Sequence, residues 1–403
     1  DVWYANYKWI ANVNYIIDAE PEMAGTEADV AYVAGQAYAI RALCYLNLAT
    51  WFSRAPYNSL TGASRWNEPC VPVYTTGTSI DTGGQPRESL RTVYGRIDQD
   101  IDRAIELLEK ARETTLAENN KSHINLYVAL GIKSRACLAE GDWDGAFKAA
   151  KRVIDEGGYA VGTKSDLTGG MNSLDKQNVM WGAGIQVADQ AGGYAGFFTH
   201  MDNKEGAYAK SAPKLISKQL YNRISATDIR RDWWDPSDKE SPYVSKKFSF
   251  ANVASFLGDY IYMRVEEMYF TAAEAALRLD DLKSARELMN TVMAERDPGY
   301  SANNRSGTLL GATTTTWTGS FLENILTHRR IELWGEYGRL FDVRRLGQGI
   351  DRRTDDGFSE ECISMMNRRN VNITKADTYD WVLTIPKAEL DANPNINEED
   401  QNP

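Results

Sequence analysis

The stretch from His328 to Gly347, HRRIELWGEYGRLFDVRRLG, combines helical apolar spacing with a high density of charge. Its large apolar side chains recur at steps of three and four residues, which predicts a helix with one buried face. Glu332 and Glu336 lie one turn apart on such a helix, and Arg339 follows Glu336 by three positions, so the charges can pair along it. The apolar positions are Leu333, Trp334, Tyr337, Leu340 and Phe341.

Two interpretations of these charges are open. One is a solvated, salt-bridged helix face, and the other is a partly buried ion network. The aromatic side chains leave little free face for solvent, so the buried network is favoured. We expect at least two of Glu332, Arg339, Asp342 and Arg345 to be buried and bonded to one another or to the backbone.

A second helix is predicted from Val30 to Phe52, where Arg41 is the one charge among largely apolar residues. Such a helix is typically buried on most sides. An arginine within it needs a carboxylate or several carbonyl groups, because an unpaired buried charge is very costly. We therefore expect Arg41 to have a structural role and not to bind a ligand.

Two predicted helix pairs, at Leu130–Gly158 and Tyr269–Arg296, share one pattern. The first helix of the earlier pair is predicted to end at Gly141 and the second to begin at Ala146. The same offsets in the later pair give Asp280 and Ala285. A small residue after the turn lets two helices approach closely, as in tetratricopeptide repeats. We expect the two pairs to stack on each other, with the intervening chain looped out.

The chain is therefore predicted to be all-α, with a tetratricopeptide-like helical repeat scaffold and an irregular, loop-rich insertion that carries short strands. We expect one domain over residues 1–403, in which the scaffold covers 1–157 and 260–350. The insertion covers about 158–260, and a C-terminal tail covers 351–403. A short apolar run from Val179 to Val187 indicates a strand in the insertion. Loops on a rigid scaffold are where binding usually occurs.

Several classes of function are disfavoured. The net charge is −11 and no basic block stands out, which argues against nucleic-acid binding. No HExxH, GxSxG or P-loop motif is present, and the three histidines lie in unrelated contexts. We expect no metal, no cofactor and no histidine-centred catalytic triad. Glu332 and Glu336 are the carboxylate pair singled out for acid–base chemistry, but nearby arginines are expected to neutralise them.

Aromatic residues in predicted loops are the positive signal in a chain with 11 Trp and 21 Tyr. Sugars present C–H faces to aromatic rings and hydroxyl groups to amides and carboxylates. Trp66 lies in a loop from Tyr57 to Pro86, which we expect to converge with the insertion at one end of the scaffold. The alternative for every ring is ordinary core or loop packing. The candidate ligand-binding residues are Trp66, Tyr194, Phe197, Phe198, Asp202, Asn203, Trp233 and Trp234, with Trp317 ranked below them.

Taken together, seven segments in order resemble the signatures of the SusD/RagB family of outer-membrane nutrient-binding lipoproteins. His328 departs from the pattern, because family members usually have Glu before the paired arginines. The matching segments are Ala31–Tyr57, Cys70–Tyr74, Pro86–Leu108, Gly141–Tyr159, Arg264–Arg296, His328–Gly347 and Trp381–Pro403.

This resemblance implies a protein that captures oligosaccharides or polysaccharides and delivers them to a partner SusC-like TonB-dependent outer-membrane transporter. It implies binding without turnover and a lipid anchor on the extracellular face of the outer membrane; neither the anchor nor a signal peptide is in this chain. Three alternatives remain: a peptide-binding relative, a glycoside hydrolase on a helical scaffold, and a protein-interaction scaffold.

Overall fold

The structure is a computed structural model that describes residues 2–114, 116, 120–187, 196–305, 319–351, 372–373 and 378–403. The chain divides into two compact units. Unit 1 comprises Asp1–Ala149, Leu340–Gln348 and Lys375–Pro403, and unit 2 comprises Ala150–Arg339 and Gly349–Thr374.

Helices dominate both units. The helices are α1 (Val2–Ala19), α2 (Glu27–Phe52), α3 (Leu90–Lys110), α4 (Leu126–Glu140), α5 (Trp143–Glu156), α6 (Lys164–Thr168), α7 (Phe197–Met201), α8 (Ala207–Ser211), α9 (Lys218–Tyr221), α10 (Val265–Arg278), α11 (Leu282–Ala294), α12 (Phe321–Glu332), α13 (Arg339–Arg345) and α14 (Lys387–Ala392). The strands are β1 (Val179–Ala183), β2 (Trp234–Asp235), β3 (Val244–Ser245), β4 (Tyr260–Arg264), β5 (Ile350–Asp351) and β6 (Asn372–Ile373).

The predicted fold class, all-α with short strands, is confirmed. The strands form three antiparallel pairs, β1 with β4, β2 with β3, and β5 with β6. In the part of the chain that the structure describes, no helix is long and apolar enough to cross a bilayer. The tetratricopeptide-like character, the stacking of the two helix pairs and the division into scaffold, insertion and tail remain predictions.

The core of unit 1 forms around α2, which packs against α1 and α3. Arg41 is 2% exposed on this helix and makes a two-pronged contact with Asp100, with both N–O distances at 2.7 Å. Its third nitrogen donates to Asn14 Oδ1 at 2.7 Å and to the Thr75 carbonyl at 2.9 Å. A carboxylate and polar acceptors thus compensate the buried charge, which confirms the predicted structural role of Arg41.

The helix ends were predicted with mixed accuracy. Helix α4 ends as expected at Gly141, whose φ of 77° lies in the left-handed region that favours glycine at a helix C-terminus. The next helix begins at Trp143 and not at Ala146.

In unit 2, α10 packs against α11 and α12. Ala146 and Ala285, the small residues of the predicted pattern, are both fully buried.

The expectation of one helix through His328–Gly347 is wrong. Helix α12 ends at Glu332, and α13 begins only at Arg339. Gly335 and Gly338 between them have φ values of 75° and 127°, which L-residues rarely adopt. A Cβ atom on Gly335 would also lie 2.5 Å from the Phe248 ring, so a close approach adds to the requirement for glycine there.

Candidate functional site

Glu332 lies at the centre of a buried ion cluster in unit 2. Its carboxylate accepts hydrogen bonds from Arg230 at 3.1 Å, from Arg264 at 3.0 Å and from Arg296 at 3.0 Å. All four side chains are fully buried. Burial alone raises the pKa of Glu332, but Arg296, Arg264 and Arg230 together hold this pKa well below its usual value. The carboxylate is therefore ionised near neutral pH.

Glu336 is held in a similar way. Arg264 donates to it at 2.8 and 2.9 Å, and Lys247 forms a further ion pair with it. Burial opposes ionisation, yet Arg264 and Lys247 lower the pKa of Glu336. The predicted neutralisation of Glu332 and Glu336 is confirmed. Neither carboxylate has the raised pKa that a general acid needs at neutral pH.

The predicted burial of charges in this segment is also confirmed. Asp342 and Arg345 of α13 are 7% and 1% exposed, and Arg345 Nε donates to Asp342 Oδ1 at 2.8 Å. The partners of Glu332, in contrast, come from distant parts of the sequence and not from its own helix.

His328, the departure from the family pattern, is buried beside Arg230. The Arg230 Nη2–His328 Nδ1 distance is 2.9 Å, so the imidazole accepts from the guanidinium. Burial first, and then the charge of Arg230, lower the pKa of His328 well below its usual value. A neutral acceptor thus occupies the position at which the sequence pattern leads one to expect a carboxylate.

Two of the candidate rings lie on the short helix α7 in unit 2. Phe198 is 2% exposed and packs against Phe250, with ring centroids 5.7 Å apart. Phe197 is only partly buried. Its ring meets Phe248 edge to face, with centroids 5.2 Å apart, and lies tilted against Tyr260 at 5.9 Å. Phe197 therefore keeps part of its ring accessible, whereas Phe198 belongs to the core.

Asp202 and Asn203, the polar candidates behind these rings, make several hydrogen bonds to the backbone. Asp202 is 2% exposed and accepts from the backbone N–H groups of Lys204, Glu205 and Phe250, each at 3.0 Å. Asn203 accepts from the Lys214 N–H at 2.8 Å and donates to the Ser245 carbonyl at 2.8 Å. These contacts fix the loop after α7 and leave little capacity for a ligand.

Trp233 and Trp234 are 2% and 1% exposed in a core cluster of unit 2. Trp233 Nε1 donates to the Leu167 carbonyl at 2.7 Å, and the Lys247 ammonium lies 4.5 Å from the centre of a Trp233 ring. No face of either indole is open to a sugar in this conformation. Ligand contact by these two residues remains a prediction that their burial disfavours.

Trp66 is a stronger candidate, because its side chain in unit 1 is only partly buried. Its ring contacts the edge of Tyr94 at 5.8 Å, and the Arg91 guanidinium lies 5.8 Å from its centre. These contacts hold the ring in place and leave part of it exposed. Tyr194 and Trp317 lie outside the described residues.

The sequence analysis missed an aromatic pair at the surface of unit 2. Trp181 on β1 and Tyr262 on β4 have ring centroids 5.0 Å apart, and Tyr262 is 41% exposed. The only signal in the sequence was the position of both residues within short apolar runs. Those runs do not reveal which strands pair, so the contact was not predictable.

Two family models match the chain. Residues 1–138 match the model described as starch-binding associating with outer membrane, and residues 203–403 match the SusD family model. The chain belongs to the SusD/RagB family. Comparison with curated proteins gives no match.

Solved structures extend the likeness to the SusD/RagB family over the whole chain. A SusD-like carbohydrate binding protein from Bacteroides vulgatus ATCC 8482 is 26% identical, with a TM-score of 0.80 over 99% of this chain and 83% of its own. A SusD superfamily protein from Bacteroides thetaiotaomicron VPI-5482 is 24% identical, with a TM-score of 0.77 over 100% and 85%. Surface glycan-binding protein A from Bacteroides uniformis is 18% identical, with a TM-score of 0.68 over 100% and 84%. The last two support the fold alone.

Proposed function

We propose that this protein captures oligosaccharides or polysaccharides at the cell surface and delivers them to a partner SusC-like TonB-dependent transporter in the outer membrane. A lipid anchor on the extracellular face is part of the same proposal. The observation that carries it is the likeness, at 26% identity and over 99% of the chain, to a protein described as carbohydrate binding. Membership of the SusD/RagB family supports it.

Among the predicted ligand-binding residues, the proposal assigns ring stacking to Trp66 and Phe197, which are partly exposed. Tyr194 is retained from the sequence pattern. The buried residues Phe198 and Asp202, like Asn203, are proposed to support the loop that carries Phe197. Trp233 and Trp234 are proposed to stabilise unit 2 from within its core. The convergence of the Trp66 loop with the insertion remains a prediction.

The proposal is one of binding without turnover. Glu332 and Glu336, the carboxylate pair singled out from the sequence, are both neutralised by buried cations. A glycoside hydrolase needs one carboxyl group with a raised pKa and another that acts as base or nucleophile. The lowered pKa values of Glu332 and Glu336 do not fit that division of roles.

The test is affinity electrophoresis of the purified protein in gels that contain one polysaccharide each, followed by titration of the bound glycan. We expect Trp66→Ala to weaken binding at least threefold with a melting temperature close to that of the wild type. Trp9→Ala is the matched control, because Trp9 is 57% exposed elsewhere in unit 1 and should leave binding unchanged. Equal binding by both variants would remove Trp66 from the site.

Two further assays on the same protein sample distinguish the alternative functions. Release of reducing sugar from a bound polysaccharide would identify a hydrolase. Binding to a peptide library without any response to sugars would identify a peptide-binding protein or an interaction scaffold. The transporter step has a separate measurement: loss of the protein should slow uptake of the bound glycan into cells that retain the transporter.

A further inference from the structure

A cavity of about 260 Å³ lies in unit 1, and none of the candidate ligand-binding residues named from the sequence lines it. Its floor is one face of α1, formed by Tyr7, Ile10 and Ala11. Drug-sized ligands occupy pockets of roughly 300–1,000 Å³. A cavity just below that range has room for one sugar residue.

The opposite wall is a loop over residues 75–86, TTGTSIDTGGQP, which we name the hydroxyl loop. Its first part is tied to α1. Asn14 Nδ2 donates to the carbonyls of Tyr74 at 3.2 Å and Thr76 at 2.9 Å. Asp18 accepts from the Gly77 N–H at 2.6 Å, and the Tyr15 hydroxyl donates to the Thr78 carbonyl.

The far end of the hydroxyl loop is fixed to the C-terminal segment. Asn393 Nδ2 donates to the Gln85 carbonyl at 2.9 Å, and Asn395 Nδ2 donates to the Gly84 carbonyl at 2.6 Å. A Cβ atom on Gly84 would lie 2.1 Å from Asn393 Oδ1, so a larger residue there would displace the Asn393 side chain. With both ends held, the loop needs little further ordering when a ligand binds, which favours affinity.

Three hydroxyl-bearing residues of this loop, Thr78, Ser79 and Thr82, line the cavity. Thr82 Oγ1 accepts from the Ser79 N–H at 2.8 Å, and Ser79 Oγ accepts from the Asp81 N–H at 3.2 Å. Each hydroxyl has one proton to donate as well as lone pairs to accept with. At Ser79 and Thr82 the local bonds use the oxygen as an acceptor and set its position, so the hydroxyl proton remains available to a ligand hydroxyl.

Two rings and one carboxylate complete the lining. Tyr7 and Tyr74 meet edge to face, with centroids 5.9 Å apart. The Tyr74 hydroxyl accepts from the Gln85 N–H at 3.0 Å, which leaves its own proton to donate. Glu389 accepts from Trp3 at 3.3 Å and from Asn393 at 2.8 Å. A carboxylate has about four lone-pair sites, so acceptor capacity remains for sugar hydroxyls or an ammonium group.

The charge of the lining selects among sugars. Among the described residues that line the cavity, Glu389 is the one charged residue, and the lining contains no Lys or Arg. A carboxylate in a recess repels a second carboxylate more strongly than it would in open water. A uronic acid therefore fits this lining poorly, whereas neutral and amino sugars match the mixture of rings, hydroxyl donors and one anionic acceptor.

We propose that this cavity is a carbohydrate subsite of its own, which takes one neutral or amino sugar unit. The proposal rests on the proposed function, in that it takes the ligand to be a sugar. It places that sugar between α1 and the hydroxyl loop, in a lining that includes neither Trp66 nor any residue of the insertion. The subsite discriminates against uronates through Glu389.

The test is ligand-observed NMR of the purified full chain with five separate probes: glucose, galactose, glucosamine, glucuronic acid and galacturonic acid. We expect at least one neutral or amino sugar to bind with a Kd of about 1 mM, as is reasonable for one small ligand, and both uronic acids to bind at least tenfold more weakly. Ala11→Phe fills the cavity from its floor and should abolish the NMR signal of sugar binding. Asp144→Ala, at an exposed position of α5, should leave the single-sugar signal unchanged.

Glu389→Gln provides a second variant that does not change the volume. In this variant the ratio of the Kd of the uronic acids to the Kd of the neutral sugars should fall at least fivefold. Unchanged single-sugar binding in Ala11→Phe, or unchanged discrimination in Glu389→Gln, would overturn the subsite. If the wild type binds polysaccharide in gels but no single sugar, only the subsite is wrong. If single sugars bind and polysaccharides do not, the proposed function is wrong and the subsite stands.

Discussion

Arg264 and Glu332 are 68 positions apart in the sequence, yet Arg264 Nη1 donates to Glu332 Oε1 at 3.0 Å with both side chains fully buried. Arg264 lies at the end of β4 and Glu332 at the end of α12, so the bond joins two elements of unit 2. Arg230 and Arg296 bind the same carboxylate. Glu332 thus contacts three cations at once. Asp228, Glu266 and Glu336 are the other acids of the cluster, so four carboxylates balance Arg230, Arg264, Arg296 and Lys247.

Glu332→Ala should destabilise unit 2 by about 3–5 kcal/mol, because it leaves four buried cations with three carboxylates. Urea denaturation measures the change in the free energy of unfolding. Asp144→Ala is the control, since its ion pair with Lys148 is exposed and should contribute roughly 0–1 kcal/mol. An unchanged urea midpoint for Glu332→Ala would mean that the cluster does not stabilise the fold.

His328→Gln should flatten the dependence of stability on pH below neutrality. Burial and Arg230 depress the pKa of His328, so the folded protein keeps the imidazole neutral where the unfolded chain takes up a proton. Wild-type stability is therefore fully present above the unfolded pKa of about 6.5 and falls by up to about 1.4 kcal/mol per pH unit below it. Glutamine retains an acceptor for Arg230 without titrating. The free energy of unfolding of both proteins is measured at pH 7.5, 6.0 and 5.0. An equal loss of stability in the wild type and in His328→Gln as the pH falls would contradict this assignment.

Glu140→Gln should stabilise the protein at pH 8 but not at pH 4. Burial, with Asp98 and Asp142 nearby, raises the pKa of Glu140 to about 8. Between the unfolded pKa and about 8 the folded state retains a proton that the unfolded state releases, so stability falls as pH rises. After allowance for partial exposure, we expect a gain of about 1–2 kcal/mol at pH 8. Glu287→Gln, at an exposed helix position, should show no such difference.

Trp233→Ala should lower the free energy of unfolding by about 3–5 kcal/mol, because it empties a buried volume and breaks the bond to the Leu167 carbonyl. Trp9→Ala, at an exposed position, should change it by less than about 0.5 kcal/mol. Thermal melts of both variants measure the contrast. If Trp233→Ala instead melts like the wild type and loses glycan binding, this indole belongs to the site and not to the core.

The sequence predicted features that depend on local pattern. The apolar residues around Arg41 predicted a buried helix and a compensated arginine, and both are present. Its partner Asp100 was not predictable, because the two residues lie 59 positions apart and many acids were possible. The prediction of a continuous helix beyond Glu332 was wrong, because apolar spacing gives no information on the positive φ angles of Gly335 and Gly338.

The candidate site was less predictable than the fold. The sequence shows which aromatic residues lie in polar segments, but burial depends on tertiary packing, so Phe197 and its neighbour Phe198 could not be told apart. The cavity against α1 was missed for a related reason. Its lining comes from α1, from the hydroxyl loop and from Glu389 near the C-terminus, and no single segment carries a recognisable pattern.

A glycan array probed with the purified wild-type protein tests the central claim most directly. The account predicts binding to at least one neutral oligosaccharide or polysaccharide, with no release of reducing sugar from that glycan in a parallel incubation. Binding to no glycan on the array, or release of reducing sugar from the glycan that binds, would contradict it.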